Sequence, residues 1–333
     1  MKINKPLFKY IINHKILNHF FNLLFKSNKL KFEDFKKLTN FFSYNGLNFL
    51  YEFSLKKYDS NFVLDKYKLI SITCNFTTGV ESLNTYRVLD NKEKWVFEKI
   101  YKINSEDLNR TLYFYKNYSN KFFPNASLLF TKSGKKLVAC YFEYLKHDNS
   151  NNDFLDIAIN FTVNSLNQKL ILSKIKLQEN DQYLQALNCS ENYFSKSERQ
   201  VLLKVKKIVF KKIIFCHGDI TIESKKNTNV IAGKLIDFDR SGYYPFGFDV
   251  GRALSSYIKS NDPFYINQSI SLLDRRINRN LSKNEIEISI YYFSLLFILR
   301  KFMMFPAENN YNKKFINMLY STLEQKYLNE RSL

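Results

Sequence analysis

The chain has 333 residues, 45% of them hydrophobic, so it is long enough to bury a substantial core and to form more than one domain. It carries 51 Lys and Arg against 31 Asp and Glu, a formal charge of +20, which predicts anionic partners unless the surface is simply basic and solvated. The four cysteines are widely spaced and form no CxxC pair, which argues against a zinc module and favours a reduced, cytoplasmic protein.

Residues 1–60 show apolar positions at helical spacing, such as Phe8, Ile12 and Ile16. We interpret them as a helical N-terminal extension. Lysines alternate with these apolar positions, so the extension either packs on its own domain or lies on an acidic membrane surface, at the inner face of the membrane. The longest apolar run, Ile288–Leu299, is shorter than the ~20 residues that a membrane span requires, and it predicts a buried helix.

Short β-like runs and one helix fill residues 61–145, which we interpret as a nucleotide-binding N-lobe. The runs are Leu69–Ile72, Thr85–Leu89 and Trp95–Tyr101, followed later by 126–130 and 137–142. The turn at 90–92 joins the second and third runs into a hairpin. Ser105 precedes two acidic residues, which is typical of a capped helix, here reaching to about Tyr118.

Residues 146–333 have mainly helical spacing and form the predicted C-lobe. The predicted helices are 153–175, 179–188, 196–207, 247–260, 263–277, 283–304 and 311–328. Strands are expected only at 213–215 and 230–236. A small β-rich part followed by a larger helical part predicts an α+β fold with two lobes and a cleft between them.

Two carboxylates follow apolar strands in this half of the chain. The strand at 213–215 leads into His217-Gly218-Asp219, and a second strand leads into Asp237-Phe238-Asp239, with Asp237 eighteen residues after Asp219. Phosphoryl transfer uses such a pair, because one carboxylate orients the acceptor hydroxyl and the other holds magnesium against the phosphates. The alternative for His217 and Asp219 is an ordinary turn leaving a buried strand.

The segment Leu235–Gly242, continued by Gly247–Gly251, resembles the catalytic core of the aminoglycoside phosphotransferase and choline kinase superfamily, which has a protein-kinase-like fold. In that family Ile-Asp-Phe-Glu is followed by a turn of small and aromatic residues and then by Phe-Asp-Ile. The resemblance implies that Asp219 is the catalytic base and Asp237 the metal ligand. It also implies that Asp249 anchors the loop, and that His217 is a hydrogen-bonding residue of the catalytic loop rather than the base.

The same resemblance assigns ATP-binding residues in the front half. Residues 77–88 are similar to the family's nucleotide-covering hairpin, where small residues such as Gly79 and Ser82 let backbone amides approach phosphates. Lys99 lies on the next strand and is the candidate contact for the α- and β-phosphates. Its neighbours Lys94 and Lys102 are alternatives.

Two further positions complete the implied nucleotide site. Glu106 or Asp107 would pair with the phosphate-binding lysine, although either could instead be a helix-start acid that interacts with the dipole. The segment 142–145 resembles the hinge that offers backbone hydrogen bonds to adenine, so Glu143 and Leu145 are candidate contacts.

One position departs from the family pattern. The second metal-binding residue, normally Asn five residues after the base, is Ser224 here, and a serine hydroxyl is a poorer oxygen ligand. Asn227 or Asn229 would replace it if the loop is longer, and Asp239 and Glu223 are further candidate metal ligands. Without such a replacement the protein would be a nucleotide-binding pseudokinase or scaffold.

The predicted function is therefore transfer of the γ-phosphate of ATP, with Mg²⁺, to a hydroxyl group of a small molecule or glycan. The positive charge favours an anionic acceptor, for example a sugar of a lipopolysaccharide or capsule precursor, and the family also includes choline-like acceptors. A nucleic-acid binder is the third interpretation, but it rests on charge alone, because the sequence contains no recognised nucleic-acid-binding motif.

Overall fold

The computed structural model describes residues 67–73, 82–89, 94–145, 154–167, 180–220, 222–224, 227–258, 261–277, 281–306 and 311–331. The predicted extension at 1–60 and the candidate Gly79 lie outside these residues. The chain divides into two compact units. The first runs to Leu108 and takes in Ser127–Tyr144, and the second takes Asn109–Ala126 and the chain from Leu145 onward.

The first unit contains a five-stranded antiparallel sheet in the order β1-β2-β3-β5-β4. Its strands are β1 (Tyr67–Thr73), β2 (Ser82–Leu89), β3 (Lys94–Lys102), β4 (Leu128–Ser133) and β5 (Leu137–Glu143). The predicted hairpin is confirmed, with Val88 of β2 opposite Trp95 of β3. β4 begins two residues later than predicted, because the Ala126 N–H donates to the Leu235 carbonyl at 3.0 Å instead of joining the sheet.

Each helix of the described residues overlaps a predicted helix, although the one predicted over 153–175 ends at Leu166 and the one predicted over 179–188 continues to Tyr193. They are α1 (Glu106–Asn117), α2 (Phe154–Leu166), α3 (Asp181–Tyr193), α4 (Lys196–Val209), α5 (Phe248–Tyr257), α6 (Phe264–Arg276), α7 (Lys283–Met304) and α8 (Lys313–Arg331). Ser105 begins α1 as predicted, since its Oγ accepts the Leu108 N–H at 3.3 Å. The α+β class, with a small sheet before a larger helical part, is confirmed.

Helix α7 is the central element of the helical unit. Every residue from Ile288 to Arg300 is buried, so this helix is covered on all sides, as the apolar run predicted. Ser282 and Glu285 form a capping box at its start, which satisfies two backbone N–H groups that the helix leaves unpaired. No helix in the described part of the chain is long and apolar enough to cross a membrane.

Short strands surround the chemistry-bearing segments of the second unit. They are β6 (Ile213–Cys216), β7 (Ile222–Ser224), β8 (Asn227–Thr228), β9 (Val230–Ile231), β10 (Lys234–Leu235) and β11 (Gly242–Pro245). β11 pairs with β6, with Gly242 opposite Cys216, although the sequence likened this segment to a turn. The predicted single strand at 230–236 is wrong: it is a hairpin of β9 and β10 around Ala232 and Gly233.

The turn of this hairpin, at Ala232 and Gly233, is the feature that the prediction of a single strand at 230–236 missed. Its strain can be tested by substitution. Both residues have positive φ, at 50° and 70°, as a two-residue turn of this handedness requires. Alanine is strained in this region, so Ala232→Gly should raise the free energy of unfolding by about 0.5 kcal/mol in urea titrations. Ala253→Gly, in helix α5, should lower it by about 1 kcal/mol. Equal losses in the two variants would contradict the strain.

Helix α1 and the segment that follows it contribute aromatic residues to the second unit, whereas the sequence-based prediction assigned all of 61–145 to one lobe. The Phe114 ring stacks on the Phe238 ring, with centroids 3.5 Å apart and an interplanar angle of 8°. Phe122 packs on Phe215 at 5.7 Å. Residues from Asn109 to Ala126 therefore group with the strands that carry the catalytic candidates.

Candidate active site

The His217-Gly218-Asp219 segment leaves the end of β6 and is anchored by Asp249, at the start of helix α5. One carboxylate oxygen of Asp249 accepts the His217 N–H at 2.7 Å, and the other accepts the Gly218 N–H at 2.9 Å. Asp249 is fully buried, and burial raises the pKa of its carboxyl group, while the two N–H donors and the nearby His217 oppose that shift. This arrangement fixes the backbone of the loop, as the resemblance implied for Asp249.

His217 is fully buried, and both of its ring nitrogens have partners. Nδ1 accepts the Asp219 N–H at 3.3 Å, so Nε2 carries the proton and donates to the Ile236 carbonyl at 2.8 Å. A ring engaged in this way has no nitrogen to offer a substrate. The geometry supports a structural role for His217 in holding the two strand ends together.

Gly218 occupies a position that admits no side chain. Its φ is +85°, and a Cβ atom would lie 2.0 Å from the carbonyl oxygen of Arg240. Only glycine tolerates both the left-handed backbone and this close approach. Gly218 therefore allows the loop to pass directly against the segment that follows Asp237.

Asp219 projects from the loop with a side chain that is 21% exposed. Its Oδ1 lies 3.3 Å from Nη2 of the buried Arg252 and 3.5 Å from Nε2 of Gln182. Its backbone carbonyl accepts a hydrogen bond from Asn229 Nδ2 at 2.7 Å. Within the described residues, Oδ2 of Asp219 has no hydrogen-bond donor, so one oxygen is left to receive a proton from a substrate.

Asp237 and Asp239 follow β10 but have different environments. Asp237 is exposed and has a left-handed backbone, with φ +62°, a conformation uncommon for a residue other than glycine and often found at functional sites. Asp239 is 6% exposed and accepts a hydrogen bond from Thr111 Oγ1, on helix α1, at 3.0 Å. That bond gives Asp239 a role in fixing the turn after Asp237, and Asp237 presents the accessible carboxylate.

Among the described candidate ligands, Asp237 suits a magnesium site that has few protein ligands. Among the residues that the structure describes, no three His, Cys, Asp or Glu side chains form a group that could hold a metal ion. Mg²⁺ in kinases, however, usually takes only one or two protein ligands and completes its shell with phosphates and water. The exposed carboxylate of Asp237 suits that mode of binding.

Ser224 stands where the family pattern has the second metal-binding Asn, and the structure does not describe the side chains of this segment. Ser224 ends β7, and Asn227 begins β8, but neither side chain is described, nor is that of Glu223. Asn229 is described, and its amide group supports the Asp219 carbonyl. The second metal ligand stays a prediction.

The candidate nucleotide residues of the first unit lie on or next to its sheet. Lys99 is 3% exposed on β3, opposite Asn84 of β2 and Cys140 of β5, and its Nζ lies 5.5 Å from the centroid of the Tyr101 ring. Ser82 is the first residue of β2, and its side chain is not described. Glu106 is exposed at the first position of α1, as a helix-start acid would be.

The predicted hinge follows β5. The Glu143 N–H donates to the Ser127 carbonyl at 2.9 Å, and its Oε2 accepts the Ser127 N–H at 3.2 Å. The N–H of Glu143 is therefore engaged with Ser127, the residue that precedes β4. Contact with adenine at Glu143 and Leu145 stays a prediction.

Sequence reasoning missed three residues that surround Asp219: Asn180, Gln182 and Arg252. Asn180 caps helix α3 through its Oδ1, and its Nδ2 donates to the Gly218 carbonyl at 3.3 Å. Arg252 lies three residues after Asp249, about one turn along helix α5. This spacing puts the two side chains on the same face of the helix, so Arg252 could have been predicted to lie near the loop that Asp249 anchors. The segment around Asn180 and Gln182 carries no motif that would single it out.

No protein-family model and no curated protein matches the sequence. In structure, the chain is similar to aminoglycoside phosphotransferase APH(4)-Ia in complex with ADP and hygromycin B, with a TM-score of 0.41 and 10% identity over 83% of this chain and 98% of that one. It is also similar to an ethanolamine kinase from Plasmodium vivax, with a TM-score of 0.43 and 14% identity over 88% and 93% of the two chains. LicA in complex with AMP gives a TM-score of 0.40 and 14% identity over 83% and 97%. All three TM-scores are below 0.5, and all three identities are at most 14%.

Proposed function

We propose that this protein is a phosphotransferase that moves the γ-phosphate of ATP to a hydroxyl group of a small molecule or glycan. One observation carries the proposal: Asp219 is held at the end of a buried strand by a loop whose two N–H groups are fixed by Asp249. A second, exposed carboxylate, Asp237, begins the segment against which that loop packs at Arg240. Phosphoryl transfer depends chiefly on such positioning of carboxylates.

Asp219 is the proposed base. Its Oδ1 is held by Arg252 and Gln182, and within the described part of the chain its Oδ2 is available to the acceptor hydroxyl. That hydroxyl would donate its hydrogen bond to Oδ2 and pass its proton there as its oxygen attacks the γ-phosphorus, while the bond from that phosphorus to the bridging oxygen breaks and ADP leaves. The ion pair with Arg252 fixes the direction of the carboxylate.

Asp237 is the residue that we propose to hold Mg²⁺. When bound, the metal ion would neutralise charge on the phosphates. Lys99 is the proposed cationic contact for the nucleotide phosphates, and Glu143 and Leu145 the backbone contacts for adenine. The buried position of Lys99 on β3 would hold its amino group in a fixed direction.

The acceptor and the compartment are also proposals. The net charge of +20 favours an anionic acceptor such as a lipopolysaccharide or capsule sugar over a choline-like amino alcohol. The described cysteines, Cys140, Cys189 and Cys216, are buried free thiols, which supports a reducing cytoplasm. We propose that any membrane contact is peripheral and made by the extension at 1–60.

Replacing Asp237 tests the function. We expect the wild type to consume ATP in the presence of Mg²⁺ when supplied with a pool of sugars, sugar phosphates and amino alcohols. Asp237→Asn should lower that rate at least about a hundredfold and remove the Mg²⁺ dependence of AMP-PNP binding, because the neutral amide is a weaker ligand for a hard cation. The rate is measured by a coupled assay for ADP, and binding by calorimetry.

The matched control is Asp274→Asn, which changes an exposed aspartate on helix α6 and should leave both readings unchanged. Wild-type turnover in Asp237→Asn would contradict the role of Asp237. A wild type that binds nucleotide but consumes none with any acceptor would favour the pseudokinase instead.

A further inference from the structure

Arg300, near the end of helix α7, is a buried cation. It is 9% exposed, its Nε donates to Gln185 Oε1 at 2.9 Å, and its guanidinium group lies 5.2 Å from the centroid of the Phe305 ring. Within the described ranges, no carboxylate lies in ion-pair distance of Arg300. Arginine is rarely buried to this extent unless an anion neutralises it.

The charges around Arg300 increase the need for an anion. Burial lowers the pKa of Arg300 to about 10, the cations Arg252 and Arg240 add to that effect, and Asp219 opposes it. Arg252 and Arg240 each act on the charge of Arg300, and Asp219, which opposes them, is already bound to Arg252. An anionic ligand would relieve this repulsion.

Contacts through two helices connect Arg300 to the proposed base. On α3, Gln185 contacts Arg300, and Gln182, one turn earlier, contacts Asp219. On α7, Phe297 lies one turn before Arg300, and its ring centroid is 5.7 Å from the guanidinium carbon of Arg252, which binds Asp219. Arg300 thus belongs to the surroundings of the catalytic carboxylate, and its charge can act on a molecule held there.

Gln182 supplies a second polar group in the same place. It is 9% exposed, and while its Nε2 faces Asp219, its Oε1 is buried without a hydrogen-bond partner among the described residues. A buried amide oxygen left in this state costs free energy unless a ligand or water donates to it. Beside the base, this oxygen could accept a hydrogen bond from a further hydroxyl group of the acceptor.

We propose that Arg300 binds an anionic group of the acceptor, a phosphate or a carboxylate, so that the substrate is an anionic hydroxyl compound. This inference rests on the proposed function, and it names the substrate class of that site. The anion could also come from the nucleotide. Titration with the nucleotide site already occupied distinguishes these two sources.

The test measures binding, so that it does not depend on turnover. Inorganic phosphate and glycerol 3-phosphate are titrated into the protein by calorimetry in the presence of saturating Mg²⁺ and AMP-PNP, with glycerol as the neutral probe. We expect the wild type to bind both anions and not glycerol, and Arg300→Gln to bind them at least about tenfold more weakly. Lys204→Gln, which removes an exposed cation from helix α4, should bind them as the wild type does.

A second measurement uses the unmodified protein. In a sample labelled with ¹⁵N-arginine, the Nε–H resonance of Arg300, assigned with Arg300→Lys, should shift during the phosphate titration with the same apparent affinity. The inference would be overturned by anion binding that Arg300→Gln leaves intact, by no anion binding in the wild type, or by binding that AMP-PNP abolishes, which would assign the anion to the nucleotide. Phosphate binding at Arg300 without any ATP turnover would instead overturn the proposed function alone.

Discussion

Replacing Asp219 with Asn should lower kcat at least about a hundredfold while leaving nucleotide affinity within about twofold of the wild type. The amide cannot accept the proton of the acceptor hydroxyl, and the Asp219 side chain is not among the proposed nucleotide contacts. The measurement compares steady-state ATP consumption with AMP-PNP binding on the same protein samples. Because the variant also removes a partner of the buried Arg252, circular dichroism should confirm that both proteins are folded.

Asp156→Asn is the matched control for this variant. Asp156 also pairs with an arginine, Arg276, at 2.9 Å, but the two side chains are 42% and 36% exposed. Removing such a solvent-exposed pair costs little, so its turnover should equal that of the wild type. A kcat for Asp219→Asn within threefold of the wild type would show that another group acts as the base.

Gly218→Ala should lower the free energy of unfolding by more than about 3 kcal/mol, because the new side chain meets both a steric clash and an unfavourable backbone conformation. The new Cβ would lie 2.0 Å from the Arg240 carbonyl oxygen, and backbone must move to admit it. The left-handed φ adds a further cost of about 1 kcal/mol. Urea titration followed by circular dichroism measures the loss, and we expect little folded protein at 37 °C.

A comparison with Ala232 separates the backbone strain from the clash. Ala232 has a Cβ at a positive φ, but its side chain is exposed. The loss of unfolding free energy in Gly218→Ala should therefore be several times larger than the change in unfolding free energy in Ala232→Gly. A Gly218→Ala variant that unfolds within about 1 kcal/mol of the wild type would mean that the loop does not pack against Arg240 as closely as the structure places it.

Local patterns predicted much of the fold and the centre of the site. The apolar run from Ile288 to Leu299 correctly predicts a buried helix, and Ser105 correctly predicts the start of α1. His217-Gly218-Asp219 and Asp237 stand out because the residue types follow apolar strands in a recognisable order. Each of these features is formed by residues that are close together in the sequence, so a single sequence is enough to predict it.

The errors and omissions have physical causes. The hairpin at 230–236 was predicted as one strand because Ala232 occupies a left-handed position where glycine or asparagine would have marked a turn. Gly242–Pro245 pairs with β6 through contacts more than twenty residues away in the chain. Gln182 and Arg300 come together with Asp219 only through the packing of α3 and α7, and their separation leaves no local signal.

Phosphotransferase activity is measured by following labelled phosphate from ATP to an acceptor. The wild type is incubated with [γ-³²P]ATP, Mg²⁺ and the pool of hydroxyl compounds, and the products are separated by thin-layer chromatography. We predict a labelled small-molecule product that is absent with EDTA and reduced at least about a hundredfold in Asp219→Asn. Label that stays in ATP or appears only as inorganic phosphate, although the protein binds nucleotide, would show that the protein does not transfer phosphate to these hydroxyl compounds.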